Sequence, residues 1–375
     1  MTIRLNGFFR KLIFLSLIFP PIYAVENLCP RTPDLNIPRV ALLSAFSYEG
    51  SLFRQQVNEK CDYVINGIKF TTGKLQNKNV VIALTNISIP NATMVAQLIL
   101  DKFNISKIIY SGIGGGVNTN LFMGDVIIPE RWALYQEMFF AHEIDSKPAA
   151  KFPQPKDVSA FGLKLSYIHD QPNKNFGMIY TLDTMVTNDT HPQYKPNSNG
   201  MCVLENHFCY VPDGALNYKF WFEVDPTLLA VAQEIENKNL VLLKDCAPSP
   251  QGQVCVSHLH FGEKPRMVVG GNGVSGPTFV DNVQYREYIY SVYRVNADQE
   301  RYHNTVNVLD METAAVAMVA YSNSRNGKPV PFLGVRAISC LVGADHTSMA
   351  LPTYMGLALE NTAIVVLKIL ADPRV

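Results

Sequence analysis

The stretch Leu309-Asp-Met-Glu-Thr-Ala-Ala315 decides both the fold class and the position of a candidate site. It follows a short apolar run and begins a predicted helix, and a second predicted strand, Val330 to Ser339, comes next and carries Arg336. Glu312 is therefore expected at the carboxyl end of a strand, where open α/β sheets bind ligands. A carboxylate has two acceptor oxygens, which are enough to hold two adjacent hydroxyls of a sugar.

Strands alternate with helices along the rest of the chain. The predicted strands are Arg39 to Phe46, Val80 to Thr85, Lys107 to Tyr110, Asp125 to Ile128, Arg131 to Phe140 and Arg266 to Gly271. The predicted helices are Ser51 to Glu59, Ala92 to Phe103 with Asn91 as its cap, Thr227 to Asn237, Val283 to Tyr293 and Met355 to Leu370. This alternation indicates an α/β fold with a largely parallel sheet.

Composition excludes several classes of partner. The 375 residues are 47% hydrophobic, which is enough for one large core. Lys+Arg and Asp+Glu are both 32, so the chain has no net charge with which to attract nucleic acid or an anionic membrane. The cysteines and histidines lack metal-site spacing, and the glycines match neither the dinucleotide nor the P-loop pattern. We expect no nucleic acid partner, no metal and no cofactor.

The N-terminus has the pattern of a secretory signal. Arg4, Arg10 and Lys11 precede an apolar run that ends before Ala24. The run is shorter than the roughly 20 residues of a membrane helix, although an uncleaved anchor is the alternative. We predict a signal peptide at 1–24 and a single domain at 25–375 with a loop-rich insertion around 145–225. The mature protein would be secreted, or periplasmic in a bacterium, and free of the membrane.

Six of the seven cysteines suit disulfides of an oxidising compartment, although other connectivities are open. The candidate pairs are Cys202 with Cys209, Cys246 with Cys255, and Cys29 with Cys61. Cys340 is left over at the end of an apolar strand.

Unusual residues gather at the predicted strand ends. The cluster Gly112 to Gly116 is interpreted as a tight turn, and Phe279 with Val280 as either a wall for an aromatic base or core packing. Glu49 and Glu312 both border buried strands, where an unpaired charge is costly. For a single glutamate, a solvent-facing helix end would be the better interpretation. Two of them beside Arg336 favour a site.

Five motifs make the chain resemble the nucleoside phosphorylase superfamily. They are Ser44-Ala-Phe-Ser-Tyr-Glu49, Gly112-Ile-Gly-Gly-Gly116, Val274-Ser-Gly-Pro-Thr-Phe-Val280, Asp310-Met-Glu312 and Arg336-Ala-Ile-Ser339. The chain is most similar to the 5′-methylthioadenosine/S-adenosylhomocysteine nucleosidases, and also to secreted plant bark-storage-type proteins. The resemblance implies a three-layer α/β/α sandwich around a mixed, mostly parallel sheet. It also implies a homo-oligomer that takes a small-molecule nucleoside.

The resemblance assigns a role to each matching residue. Glu49 would activate the attacking water, and Met311 and Glu312 would hold the ribose. Phe279 and Val280 would contact the purine, while Ile113 and Gly115 would line the ribose and base. Arg336 and Ser339 would support the site from beneath. Cys340 would occupy the position of the leaving-group acid.

The chain departs from the family pattern at Cys340, where the family has an aspartate. A thiol is a weak donor with an ordinary pKa near ~8.5, so purine release would be slow unless another group, such as Asp345, serves. Three functions stay open. The first is a secreted purine nucleoside hydrolase of reduced or altered activity, the second a phosphate-dependent phosphorylase, and the third a storage or nucleoside-binding protein without catalysis.

Overall fold

The structure is a computed structural model that describes residues 29–136, 179–180, 218–219, 221–249, 252–256, 264–292, 305–324, 327–343 and 347–375. The predicted signal peptide, most of the predicted insertion, the pair Cys202 and Cys209, and Asp345 lie outside the described residues.

The described residues form strands and helices, and several strands, such as β2 to β4, follow one another without a helix between them. The strands are β1 (Arg39–Ser44), β2 (Asn58–Ile65), β3 (Ile68–Leu75), β4 (Lys78–Leu84), β5 (Ile105–Gly116), β6 (Val126–Ile128), β7 (Arg131–Leu134), β8 (Ile179–Tyr180), β9 (Tyr218–Lys219), β10 (Phe222–Glu223), β11 (Cys246–Ser249), β12 (Gly252–Cys255), β13 (Met267–Val269), β14 (Asn272–Ser275), β15 (Val306–Asp310) and β16 (Phe332–Leu341). The helices are α1 (Ser47–Gln56), α2 (Ile89–Lys102), α3 (Pro226–Asn237), α4 (Val283–Val292), α5 (Thr313–Ser322) and α6 (Thr347–Leu370).

One mixed sheet of 12 strands organises the fold, in the order β10-β7-β14-β15-β5-β1-β4-β3-β2, with β16 on β5 and β6, and β13 on β6. β5 is parallel to β1 and β16 and antiparallel to β15. Helices α2 and α5 pack on each other, as do α6 and its neighbours α1 and α3. The predicted α/β class, with helices flanking a mixed sheet, is confirmed.

The central strands are buried along almost their whole length, because helices cover the sheet. β1 is buried at every position and β16 at all but its last. Continuous apolar runs of this kind are typical of strands that are covered on both faces. The ends of β1, β15 and β16 thereby hold their polar residues beside a rigid core.

Several predicted boundaries differ from the structure. The glycines from Gly112 to Gly116 continue β5 and do not form a turn, so that prediction was wrong. Helix α2 begins after Ser88, and the side chain of Asn91, the predicted cap, donates to the Ile87 carbonyl at 2.8 Å. The sequence analysis missed the β2–β3 hairpin because β2 is mostly polar and exposed.

The predicted disulfides Cys29–Cys61 and Cys246–Cys255 are both present, and Cys340 is a free, buried thiol. Among the described residues, the helices are too short or too polar to cross a membrane.

Candidate active site

Arg336 lies at the centre of the candidate site, on β16, with only 1% of its surface exposed. Its guanidinium meets three carboxylates. Nε is 2.8 Å from Asp310 Oδ2, Nη2 is 3.3 Å from Glu312 Oε2, and Nη1 is 3.5 Å from Glu49 Oε1. Removing a cation from water costs several kcal/mol unless it is paired and hydrogen-bonded. The buried arginine therefore joins two chain segments that are distant in sequence, one around Glu49 and one from Asp310 to Glu312.

The remaining contacts of Arg336 fix its plane. Its Cζ lies 4.7 Å from the centre of the Tyr110 ring, as in a cation–π pair. Nη1 donates to the Ile113 carbonyl at 2.9 Å, and Nε donates to Thr313 Oγ1 at 2.9 Å. The Tyr110 hydroxyl is itself hydrogen-bonded to Thr85 Oγ1 at 2.8 Å. The guanidinium is thus held by the Tyr110 ring and by hydrogen bonds along its edge.

Glu49 is fixed by backbone amides near the start of α1. Its Oε2 accepts from the amides of Ala45 at 2.6 Å and Phe46 at 3.4 Å, and its Oε1 accepts from Ile113 at 2.9 Å. Burial raises the pKa of Glu49, while Arg336 and these amides oppose the shift. A carboxyl group with a raised pKa is a stronger proton acceptor once it is ionised.

Glu312 precedes α5 and has fewer partners than Glu49. Its Oε1 accepts from the Ser88 amide at 3.0 Å, and its Oε2 faces Arg336. Burial raises the pKa of Glu312 to about 7, against the opposing attraction of Arg336. Three carboxyl groups around one guanidinium leave an excess of negative charge when all are ionised, and this excess favours protonation of one of them.

Asp310 completes the cluster and was not among the predicted site residues. Its Oδ1 accepts from the amides of Glu312 and Thr313, both at 3.1 Å, and from the Ser275 hydroxyl. Thr313 Oγ1 donates to its Oδ2. Asp310 thereby ties β14, β15 and the start of α5 together. Its place two residues before Glu312 was the available signal.

A pocket of about 310 Å³ opens over this cluster. It brings together every predicted site residue: Glu49, Ile113, Gly115, Phe279, Val280, Met311, Glu312, Arg336, Ser339 and Cys340. Other lining residues were not predicted, namely Ala45, Phe46, Ile87, Gly114, Thr278, Leu309, Asp310, Val342 and Met355. Most of these are apolar and gave no chemical signal in the sequence.

The two ends of the pocket differ in chemistry. We call the region of Glu49, Glu312 and Arg336 the acid end, and the region of Cys340, Val280, Leu309 and Val342 the thiol end. Cys340 is four residues beyond Arg336 on β16, at most about 13 Å along an extended strand. Val280, Leu309 and Val342 pack in one buried apolar cluster. Burial raises the pKa of Cys340 to about 11, so its thiol is neutral.

A bulge in β16 shapes the thiol end. Ile338 is opposite Gly114 on β5 and Cys340 is opposite Gly115, which leaves Ser339 as an extra residue. Neighbouring side chains of a regular strand point to opposite faces, and a bulge re-aims them. Ser339 and Cys340 consequently both line the pocket.

Gly112 must lack a side chain for the cluster to form. A Cβ at this position would overlap Arg336 Nη1 and Glu49 Oε1. Gly112 of β5 therefore leaves the space that the charged side chains of the site occupy.

No cluster of potential metal ligands occurs among the residues that the structure describes. Arg336 is paired with all three acids of the cluster and offsets part of their negative charge.

The fold and pocket define an α/β protein with a pocket at the carboxyl ends of its strands, which is where open α/β sheets bind small molecules. The chain belongs to the phosphorylase superfamily, whose family model matches residues 39–371.

Curated relatives and solved structures agree with this family. The 5′-methylthioadenosine/S-adenosylhomocysteine nucleosidase of Oceanobacillus iheyensis is 27% identical over 52% of this chain and 86% of its own length. The Listeria innocua nucleosidase is 22% identical over 88% of this chain and 98% of its own.

Two solved structures share the fold over most of their length. The nucleosidase of Neisseria meningitidis in complex with methylthio-immucillin-A has a TM-score of 0.53 at 20% identity, covering 89% of this chain and 98% of that one. The futalosine hydrolase of Helicobacter pylori has a TM-score of 0.55 at 15% identity, covering 90% and 99%. The predicted similarity to plant bark-storage-type proteins stays a prediction.

Replacing Arg336 tests its role as the centre of the site. Arg336→Met would leave three buried carboxyl groups without their cation, and we expect a loss of about 3–5 kcal/mol in the free energy of unfolding near pH ~8. Without the guanidinium, the pKa values of Glu49 and Glu312 rise further. The acids are then neutral at low pH, and the deficit relative to the wild type shrinks as pH falls. Urea denaturation at several pH values measures both effects.

Arg374→Met is the matched control, because Arg374 pairs with Glu234 and Asp372 at the surface. Exposed ion pairs contribute little to stability, so this variant should unfold close to the wild type. Equal losses in the two variants would contradict the central role of Arg336.

Proposed function

We propose that the chain is a secreted hydrolase of purine nucleosides that uses water to cleave the bond between the sugar and the base. The observation that carries the proposal is the convergence of Glu49 and Glu312 at the acid end of one pocket, on a single buried guanidinium. Several relatives are nucleosidases, and this supports the same chemistry. The predicted leader and the two disulfides support secretion.

Glu312 is suited to hold a ribose. A carboxylate offers about four lone-pair positions. The Ser88 amide and Arg336 occupy one on each oxygen, so that one on each oxygen stays available to the neighbouring 2′- and 3′-hydroxyls. Met311 lines the same part of the pocket and would pack against the sugar.

Glu49 is suited to act as general base. Cleavage of a glycosidic bond passes through a sugar with oxocarbenium character, and water attacks this electron-poor carbon. Glu49 would accept the proton that the water loses, a step that contributes roughly 10²–10⁴-fold to the rate. The excess negative charge of the cluster also stabilises the positive charge that develops on the sugar.

The base would occupy the thiol end. Val280, Leu309 and Val342 provide an apolar wall, and Phe279, half exposed, lies at the mouth. The flat faces of a purine ring are apolar enough to pack against such side chains. Cys340 would face the departing base with a neutral thiol, which donates weakly, and we infer reduced turnover on ordinary purine nucleosides.

Phosphate is a poor co-substrate for this pocket. Of the described lining residues, Arg336 alone carries a positive charge, and three carboxylates already neutralise it. Arg54 is on the same helix as Glu49 and is the nearby cation that a phosphate could use. It does not line the pocket, and its Nη2 donates to the Ser47 carbonyl at 3.3 Å. An anion entering the acid end would meet Glu49 and Glu312 without a free cation.

The purified protein, incubated with adenosine, inosine and 5′-methylthioadenosine, should release free base at the same rate with and without phosphate. Glu49→Gln keeps the shape of the side chain but cannot accept the proton, so we expect release to fall by at least about 100-fold. Chromatographic detection of the base measures the rate.

Release that requires phosphate would identify a phosphorylase. Absence of release, with nucleosides still raising the melting temperature, would identify a binding or storage protein.

The hydrolytic rate should depend on pH through the two glutamates. Both act as carboxylates in the proposed chemistry, and burial raises both pKa values, that of Glu312 to about 7. Activity is therefore present above these values and lost as pH falls through them. We expect kcat/KM to decrease below pH ~7, as measured by initial rates from about pH 5 to 9. Circular dichroism at each pH separates this loss from unfolding, and a flat profile would contradict it.

Replacing Cys340 by an acid should restore the missing proton donor. Cys340→Asp is expected to raise kcat for inosine by at least about tenfold, which is part of the roughly 10²–10⁴-fold that a fully positioned acid contributes. Cys340→Asn has the same shape without the acid and is the control. An unchanged or lower rate in a folded Cys340→Asp protein would show that the thiol does not limit release of the base.

A further inference from the structure

The thiol end of the pocket does not match the chemical needs of an ordinary purine leaving group. When the bond between C1′ and a neutral purine breaks, the purine takes both electrons and leaves as an anion, which needs a proton. The thiol end offers Cys340, whose thiol holds its proton far above neutral pH, together with Val280, Leu309 and Val342. A thiol of this kind is a weak proton donor at neutral pH, and the apolar side chains have no proton to donate.

The acids that the described part of the pocket does contain are committed elsewhere. Glu49, Asp310 and Glu312 all contact Arg336 at the acid end. At the thiol end, Gly115 lies next to Val342 and Cys340, since an added Cβ would come within 2.7 Å of Val342 Cγ2 and 3.8 Å of Cys340 Sγ. The acid end of the described pocket therefore contains a proton acceptor for the attacking water, whereas the thiol end contains only neutral groups beside the leaving base.

A carboxylate borders the thiol end from outside the pocket lining. Asp281 follows Val280 directly and is exposed, and its charge disfavours ionisation of the Cys340 thiol. The same loop packs on the residues after Cys340, because a Cβ at Gly343 would overlap the backbone of Asn282 and Val283. A negative charge at this place attracts a positively charged ring and repels an anionic one.

We propose that this site selects ribonucleosides whose base carries a fixed positive charge on the ring, such as N7-alkylated purines and N-ribosylpyridinium compounds. The inference rests on the proposed hydrolase function and specifies its substrate class.

The reaction balances without a proton donor. The bond from C1′ to the ring nitrogen breaks, and both electrons go to the ring, which becomes neutral. The oxygen of water bonds to C1′, and the proton that this water loses passes to Glu49. The products are ribose, the neutral base and one proton. A neutral thiol and apolar walls suit such a leaving group, because it gains no charge when it departs.

The test compares 7-methylguanosine with guanosine, and uses nicotinamide riboside as a second cationic probe. With the wild-type protein, we expect kcat/KM for 7-methylguanosine to exceed that for guanosine by at least about 100-fold, the minimum that an absent acid catalyst costs the neutral substrate. Nicotinamide riboside should be cleaved as well, because its pyridinium base leaves as a neutral molecule.

The methylated nucleoside is intrinsically labile, and variants at Cys340 serve as the control for this lability. An aspartic acid can protonate N7 of guanosine but not an N7 that carries a methyl group. Cys340→Asp should therefore lower the preference for 7-methylguanosine at least about tenfold. Cys340→Asn, which has the same shape without a proton to give, should retain the preference. A Cys340→Asp protein that keeps the full preference would overturn the inference.

Asp281→Asn tests the electrostatic part. Removing this exposed charge should lower kcat/KM for 7-methylguanosine by roughly two- to fivefold and affect guanosine less, with a difference that disappears at high salt. Equal effects on both substrates would remove the support from Asp281.

Failure of the inference and failure of the hydrolase function give different results. If guanosine is cleaved as fast as 7-methylguanosine, the charge selection is wrong and the hydrolase function stands. Loss of that guanosine cleavage in Asp345→Asn would identify Asp345 as the acid. If none of the three nucleosides is cleaved, both proposals are wrong.

Discussion

The buried guanidinium of Arg336 is the interaction on which the site depends. A charge with 1% exposure is stable only when its partners are also buried and correctly placed. Glu49, Asp310 and Glu312 are those partners, and they come from α1, the end of β15 and the start of α5. Because each of them also accepts backbone hydrogen bonds, the ends of these elements cannot shift independently of one another. The architecture of the acid end follows from this single cation.

The same arrangement explains how one pocket combines opposite chemical environments. Burial makes ionised carboxylates costly, and Arg336 together with backbone amides offsets that cost at the acid end. At Cys340, burial raises the pKa to about 11, and the hydrogen bond from Ser339 opposes this shift only in part. The acid end can therefore hold hydroxyls and accept a proton, whereas the thiol end presents a neutral, apolar surface. A molecule with a polar sugar and a flat ring matches this polarity along its length.

Much of the fold followed from periodicity and apolar runs. β1, β4, β15 and β16 are short apolar strands, and helices such as α3 carry a clear apolar face, so their positions were predictable to within a few residues. The glycine cluster was misinterpreted because glycine favours turns in isolation. In β5 it continues a strand, since Gly112 gives Arg336 and Glu49 the space that a Cβ would fill. The β2–β3 hairpin was missed because few of the residues of β2 are buried.

The sequence by itself indicated the fold class and singled out the candidate site residues, because charged residues beside buried strands are conspicuous. Tertiary structure alone decided which of them meet. Asp310 became part of the site only because β14, β15 and α5 converge on it. Leu309 and Val342 joined the pocket through packing that has no local signature. Distances between residues far apart in the chain depend on the whole sheet, so local sequence patterns do not encode them.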